Sequence, residues 1–423
     1  MGEIKYDNSL AFAKKMDAED PLAQYKNQFH IPKINGKTQL YFCGNSLGLQ
    51  PHLTQKYIQE ELNDWAHLGV EGHTDAKHPW KPYHEFLTNN MAEIVGAKPE
   101  EVVMMNTLTV NLHLMMVSFY QPTNRRRKII IEKDAFPSDK YAVESQINFH
   151  GFDPKADLLL WEPRKENNYY HTEDLEKLLE ENLDEVALIL IGVPNYYTGQ
   201  TFDLKKISEL GHAHNALVGF DLAHGAGNIQ PNLHDSQADF AVWCSYKYLN
   251  SGPGSVGGCF VHEKHADNID LNRFAGWWGH NKETRFNMRQ EFDPIRGAEG
   301  WQLSNPPILS MAAIRASLDV FKEAGFHNIR EKSIKLTGFL EFLLKDLKDI
   351  EIITPKNPKE RGCQLSVELK SAGKDFFKKL TASGVIADWR EPNVIRLAPI
   401  PLYNSYEDVF LLVEKIKSLL DEK

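Results

Sequence analysis

Ala238-Asp239-Phe240-Ala241-Val242-Trp243-Cys244-Ser245-Tyr246-Lys247-Tyr248-Leu249-Asn250 is an apolar run stopped by a tyrosine and a lysine. A short continuous apolar run bounded by polar residues is the pattern of a strand buried on both faces of a parallel sheet. Lys247 then sits at the carboxyl end of that strand, the edge at which open α/β sheets bind their ligands. Lysine is seldom enclosed by protein unless its charge or its amine is used.

One unit earlier, Ala216-Leu217-Val218-Gly219-Phe220-Asp221-Leu222-Ala223-His224 repeats the design, an apolar strand closed by an acid with a histidine three residues on. Lys247 follows Asp221 by 26 positions (247 − 221), about one crossover and one strand. The acid and the amine are therefore expected on neighbouring strand ends. That pairing suits pyridoxal 5'-phosphate (PLP): a lysine amine condenses with the cofactor aldehyde, and a carboxylate keeps the pyridine nitrogen protonated so that the ring accepts electrons. These two segments alone leave a plain buried Asp–Lys ion pair open as the alternative.

Outward from this pair, strand and helix patterns alternate. Strands are expected at 102–105, 128–131, 158–160, 186–191, 217–220, 240–244 and 257–261, with helices at 108–119, 139–149, 172–180 and 204–214. Alternation of this kind builds a mostly parallel sheet, here of seven strands, covered by helices on both faces. Beyond Asn305-Pro306-Pro307 the pattern changes to two long amphipathic helices, 308–324 and 329–347. Short strands follow at 350–353, 364–367, 385–389 and 394–397, and a last helix at 406–420. The fold class is thus α/β, with a large sheet domain at 66–307 and a smaller α+β domain at 308–423. Residues 1–65 form an N-terminal arm and part of the small domain.

The 423 residues, 42% hydrophobic and 25% charged, describe a globular chain rather than a disordered one. A net charge of −10 without a basic block argues against nucleic acid as a partner. The charged start, Met1 to Asp7, does not resemble a signal peptide, and no apolar run approaches membrane-spanning length. Cys43, Cys244, Cys259 and Cys363 lie far apart without a C-x-x-C pair, which fits reduced thiols in the cytoplasm.

Several peptides could carry chemistry, each with a plainer reading beside it. Asn106-Thr107-Leu108-Thr109 opens a helix, where free N–H groups seat a phosphate or where a threonine merely caps. Ala135-Phe136-Pro137-Ser138-Asp139 offers a ring to stack on a flat ligand, or a turn and a cap. Gly44-Asn45-Ser46-Leu47-Gly48 is a turn that reads as chain reversal when taken alone. Ser251 to Gly258 resembles a phosphate loop in composition, yet it runs into a strand and reads as a tight turn passing close to the site. His212-Ala213-His214 and His262-Glu263-Lys264-His265 lack the spacing of a helical metal motif and are expected to be solvated. The pair Trp277-Trp278 is too bulky for a bare loop unless it packs against a ligand or a second subunit. Arg396, inside the apolar strand Val394-Ile395-Arg396-Leu397, calls for a carboxylate partner, either a substrate or a structural Asp or Glu.

Taken in order, these peptides resemble the kynureninase family, PLP-dependent hydrolases of the aspartate-aminotransferase fold. The resemblance rests on Gly44 to Gly48, Asn106 to His113, Phe136 to Asp139, Tyr197-Thr198-Gly199-Gln200, Phe220 to His224, Trp243 to Asn250, Gly276-Trp277, Ser304 to Pro307 and Arg396 to Pro399, in one order along most of the chain. By that resemblance Lys247 holds the cofactor covalently, Asp221 pairs with its ring nitrogen and Phe136 stacks on the ring. His224, Ser138 and Asp139 support the ring and its hydroxyl side. Leu108 and Thr109 hold the phosphate, with Tyr246 and Trp277 reaching it across a homodimer, and Asn305 also binds the cofactor. Arg396 would clamp the substrate α-carboxylate, and Ser46, His73 and Asn305 would line the aryl pocket, a set similar to that of members favouring 3-hydroxykynurenine. The resemblance implies cleavage of L-kynurenine or its 3-hydroxy form to anthranilate or 3-hydroxyanthranilate and L-alanine, in tryptophan catabolism or NAD biosynthesis, with Lys247, Tyr246 and Asp221 at the chemistry. A cysteine desulfurase or an aminotransferase of the same fold is the rival reading; a desulfurase needs a reactive cysteine on a loop, and none of the four is placed in an obvious one.

Overall fold

The computed structural model describes residues 4–422 except 167, 289–290 and 372; of the charged start, residues 1–3 lie outside the described residues. Seven strands form the main sheet: β1 (Val102–Met104), β2 (Lys128–Glu132), β3 (Leu158–Trp161), β4 (Val186–Gly192), β5 (Leu217–Asp221), β6 (Phe240–Trp243) and β7 (Gly258–Val261). Their order across the sheet is β1-β7-β6-β5-β4-β2-β3. β7 is antiparallel to both of its neighbours, and the remaining pairs are parallel.

The strand sequences explain why both faces are covered. In β2, Ile130 enters one core while Ile129 and Ile131 enter another on the opposite side. In β4, Ile189 and Ile191 face the first core, and Leu188 and Leu190 the second. A strand with no polar alternation can be stable only between two apolar layers. The helix Leu108–Phe119 (α1) and the helix Pro137–Phe149 (α2) cover the second face, and Leu204–Ala213 (α3) covers the first.

The C-terminal part has a separate core. The helices Phe326–Leu344 (α4) and Tyr406–Asp421 (α5) pack on a four-stranded antiparallel sheet made of Ile350–Ile352 (β8), Leu365–Leu369 (β9), Asp388–Arg390 (β10) and Val394–Leu397 (β11). The long helix at Ile308–Ala324 instead packs on His52–Leu68 and Glu85–Val95, and most of its buried residues belong to the first large core.

Two expected elements differ. The strand expected at 385–389 is divided. Val385–Ile386 pairs in parallel with Leu40–Tyr41, whereas 388–390 joins the C-terminal sheet, so one extended segment serves two sheets. The helix expected to begin at 329 begins at Phe326, directly after Gly325, whose φ of 76° breaks the helical path out of the preceding helix. Among the described residues no helix is long and apolar enough to cross a membrane.

Candidate active site

The parallel pairing of β5 with β6, with Asp221 opposite Val242, brings the two strand ends together. Strand β6 stops at Trp243, and the chain turns, so Lys247 lies in the loop four residues past the strand rather than on its last residue. The turn at Gly44 to Gly48 packs under this loop. Gly48 donates its N–H to the Tyr246 carbonyl at 2.8 Å, and a Cβ on Gly48 would stand 2.3 Å from the Lys247 carbonyl oxygen. Chain reversal is therefore only part of what that turn does; it also seats the lysine loop.

Around Lys247 lies a cleft of about 610 Å³, its open mouth included. Its walls include Leu108, Thr109, Phe136, Ser138, Asp139, Asp221, His224, Tyr246 and Lys247. These nine predicted residues come from four strand ends and two helix starts, as expected at the carboxyl edge of a doubly wound sheet. Lys247 Nζ is 3.0 Å from His224 Nε2 and 5.9 Å from the centroid of the Phe136 ring. Asp221 accepts the N–H of Ala223 at 2.6 Å, which fixes its carboxyl at the turn after β5.

Burial controls the charges in this cleft. It pushes Asp221 and Asp139 upward, and Asp139 rises further because Asp221 and Glu132 face it. Asp139 is thus the protonated member of the pair and donates to Asp221, which keeps the negative charge beside Lys247. His224 is held well below the ordinary imidazole range, first by burial and then by Lys247, Arg396 and Arg390. It is neutral at pH 7. Burial also raises the Tyr246 phenol, so its hydroxyl keeps its proton.

Glu132 is a wall residue that the sequence reading passed over. It ends β2, its carboxyl accepts the Gly192 N–H, at 3.1 Å to Oε1, and burial lifts it to about 8. The signal was available: Glu132 closes the apolar run Ile129-Ile130-Ile131 as Asp221 closes its own strand. Tyr196 is a second such residue, its ring edge-on to Phe136 at 5.3 Å.

The other predicted residues lie outside the walls of this cleft within one chain. Arg396 is buried on β11, with Nη1 donating to the Tyr196 carbonyl at 2.8 Å and Nη2 to Asp388. The carboxylate partner expected for it is thus present within the chain. Ser46 is exposed in the turn that supports Lys247. His73 stands edge-on to Trp80 at 5.5 Å. Trp277 is half exposed and donates its indole N–H to the Arg285 carbonyl at 3.2 Å. Asn305 lines a separate cleft with Thr107 and Val110, behind the start of α1.

The histidines expected in solvent are instead engaged. His212 and His265 flank the buried carboxylate of Asp239 at 2.9 and 2.8 Å. His262 is buried, stacked on His234, which sits 3.0 Å from Glu101. These acids come from distant parts of the chain, so no local spacing announces the pairing.

The residues fit PLP. Asp139 Oδ1 and His224 Nδ1 are buried polar atoms without a protein partner, both in the cleft wall. Thr107 makes no side-chain cap at the start of α1. The first N–H groups of this helix therefore stay available for an anion, beside the Thr109 and Ser138 hydroxyls, which are 3.1 Å apart.

Solved structures of similar fold include the cysteine desulfurase CsdA from Escherichia coli, with TM-score 0.77, 15% identity and coverage of 95% of this chain and 98% of that one. The cystine C–S lyase C-DES, solved with cysteine persulfide, superposes with TM-score 0.75 at 16% identity, over 89% of this chain and 97% of that one. At such identities the likeness is one of fold. The thiols argue against desulfurase chemistry: burial pushes Cys43 and Cys363 up to about 12 and raises Cys244 and Cys259 as well, so none is a thiolate at neutral pH. Residues 329–416 match the family described as kynureninase C-terminal domain. The kynureninase of Koribacter versatilis is 52% identical over all of both chains, and that of Myxococcus xanthus 54% identical over 97% of each. With identity of this degree along its whole length, and a lysine, a neutral histidine and a buried carboxyl pair gathered at the sheet edge, the chain belongs to the kynureninase family of PLP-dependent hydrolases.

Proposed function

We propose that this enzyme hydrolyses L-kynurenine and 3-hydroxy-L-kynurenine at the Cβ–Cγ bond, releasing anthranilate or 3-hydroxyanthranilate and L-alanine. The observation that carries the reading is the Lys247 amine, 3.0 Å from a neutral His224 and close to a carboxyl pair that holds one charge and one proton. PLP, when bound, supplies an aldehyde for the substrate amine and a ring that withdraws electrons from the α-carbon. Asp221 keeps a proton at the ring nitrogen, and the donation from Asp139 keeps the charge on Asp221. Lys247 Nζ, displaced by the substrate amine, takes the α-proton as general base. Tyr246, whose phenol retains its proton, donates to the γ-carbonyl oxygen as water adds. The hydroxyl of that water ends in the aryl acid, Tyr246 recovers its proton as the acid forms, the water's proton goes to the β-carbon, and Lys247 returns the proton it took to the α-carbon, which completes alanine.

Arg396 is assigned to the substrate α-carboxylate, and Ser46, His73 and Asn305 to the aryl ring. Five of the assigned residues, Arg396, Ser46, His73, Trp277 and Asn305, lie outside the cleft walls of their own chain, and His73, Trp277 and Asn305 are assigned to the neighbouring site. A homodimer that brings them to the neighbouring site accounts for this. The exposed apolar side chains Ile269, Phe274, Trp277, Phe286 and Met288 support such an interface. The same reading divides the chain at 65 and 307, with the cofactor on the middle segment, and places the enzyme in the cytoplasm.

The test is the absorbance spectrum of the purified protein before and after 3-hydroxykynurenine, with products quantified. A yellow protein that yields hydroxyanthranilate and alanine in equal amounts supports the reading. A yellow protein that leaves both kynurenines intact refutes it.

A further inference from the structure

Arg396 does not stand alone. Strand β10 lies antiparallel to β11, with Asp388 directly opposite Arg396. The Asp388 carboxylate bonds the Arg396 guanidinium and also accepts from Arg390, two residues along its own strand, at 3.1 Å. Arg396 is fully buried and Asp388 nearly so. One carboxylate is thus shared between two guanidinium groups, and the trio carries a net charge of +1.

The donors of Arg396 are divided unequally. Nη1 is taken by the Tyr196 carbonyl and Nη2 by Asp388, while Nε is buried and has no partner. Nε is the unpartnered donor of the guanidinium, and together with a neighbouring N–H of the same group it offers an incoming carboxylate two bonds. The cleft is close by. Tyr196, whose carbonyl holds Arg396, lies edge-on to Phe136 in the cleft wall, and the charges of both arginines depress His224.

The charge count then matters. Arg396 with Asp388 alone is a neutral pair, and an incoming carboxylate would meet the Asp388 charge without compensation. Arg390 cancels that charge. With Arg390 in place the trio and a bound carboxylate sum to zero, the condition under which buried ions are tolerated.

We propose that Arg390, acting through Asp388, is a positioning residue for the substrate α-carboxylate: it neutralises Asp388 so that the free edge of Arg396 carries a whole positive charge. The inference rests on the reading of Arg396 as the partner of that carboxylate.

The experiment measures KM and kcat for the holoenzyme and for the variants R390Q, R390K, R396Q and the double variant R390Q/D388N, with circular dichroism to confirm folding. The Ki of the same aryl ketone amine lacking the α-carboxylate is measured in parallel. R390Q is expected to raise KM tenfold or more with kcat within threefold, and to leave that Ki within twofold. R390K is expected to stay within threefold of the parent in KM. R390Q/D388N restores the net charge of +1 and is expected to recover most of the lost KM, which a purely structural Arg390 would not do. An unchanged KM in R390Q alongside a raised KM in R396Q overturns the inference and leaves Arg396 in its role. An unchanged KM in R396Q removes that role and the inference with it. Equal rises in KM and in the Ki of the decarboxylated compound, or no recovery in the double variant, overturn it as well.

Discussion

The amine of Lys247 and Nε2 of His224 stand 3.0 Å apart at the end of two neighbouring parallel strands, and the other ring nitrogen of His224 is buried without a hydrogen-bond partner. A neutral imidazole beside the amine can pass or accept a hydrogen bond without adding a second positive charge to the cleft. Lys247→Ala removes both roles proposed for this residue, covalent anchor and base. Turnover is expected to fall by about 10³-fold or more, given the usual worth of a positioned base, and the visible band of the cofactor bound through lysine disappears. Retention of that band after removal of Lys247 would contradict the assignment.

Asp221→Asn keeps the shape and the acceptor for Ala223 but takes away the charge that holds a proton at the ring nitrogen. Turnover is expected to drop by about 10²-fold or more, while the protein still binds part of its PLP. Stopped-flow absorbance with substrate measures the loss. Turnover equal to that of the parent enzyme would show that Asp139 alone suffices.

Glu132 gives the cofactor-free chain a pH dependence of definite sign. Burial lifts its carboxyl from 4.5 to about 8, with Asp221 and Asp134 pushing the same way and the Gly192 N–H opposing. Between those values the native state holds a proton that the unfolded state has released, so stability falls as pH rises through this window and levels off above it. The slope from this one group is at most about 1.4 kcal/mol per pH unit. Urea unfolding at pH 5.5 and 7.5 should show Glu132→Gln with the shallower dependence. Equal slopes in the two proteins would show that Glu132 titrates normally.

Gly48→Ala places a methyl group 2.3 Å from both Asn250 Oδ1 and the Lys247 carbonyl oxygen. Backbone cannot yield as a flexible side chain does, so the lysine loop must shift. A destabilisation of about 1–3 kcal/mol is expected, with kcat falling about tenfold because the amine leaves its alignment. Chemical denaturation and kcat measured on the same preparation check both effects. A variant that is destabilised yet fully active would show that the loop tolerates displacement.

How much of this was legible beforehand differs from residue to residue. The run from Phe240 to Trp243 reads as a buried strand because every side chain is apolar, and a strand can satisfy that pattern only between two apolar layers. The acid and the amine at the ends of successive strands follow from the same periodicity, since one crossover leaves them adjacent. Local pattern therefore sufficed for the sheet, for the helices at 108–119 and 308–324, and for the residues of the cleft wall that follow strand ends. Glu132 carried the same mark as Asp221 and was readable by the same rule.

Other features depend on contacts between residues far apart in the chain, and only the tertiary structure decided them. Asp239 is buried because His212, His265 and Lys264 close around it. Each of these histidines looks solvated in its own peptide. Segment 385–389 reads as one strand, yet two different sheets claim its halves, because partner strands and not propensity decide pairing. The same holds at Arg396: its isolation in an apolar strand announced a carboxylate partner, but the antiparallel register of β10 and β11 chose Asp388 and brought Arg390 with it. Burial and side-chain spacing along one strand are local quantities carried by the sequence itself. Charge pairing across strands depends on register and depth, and the folded chain alone supplies both.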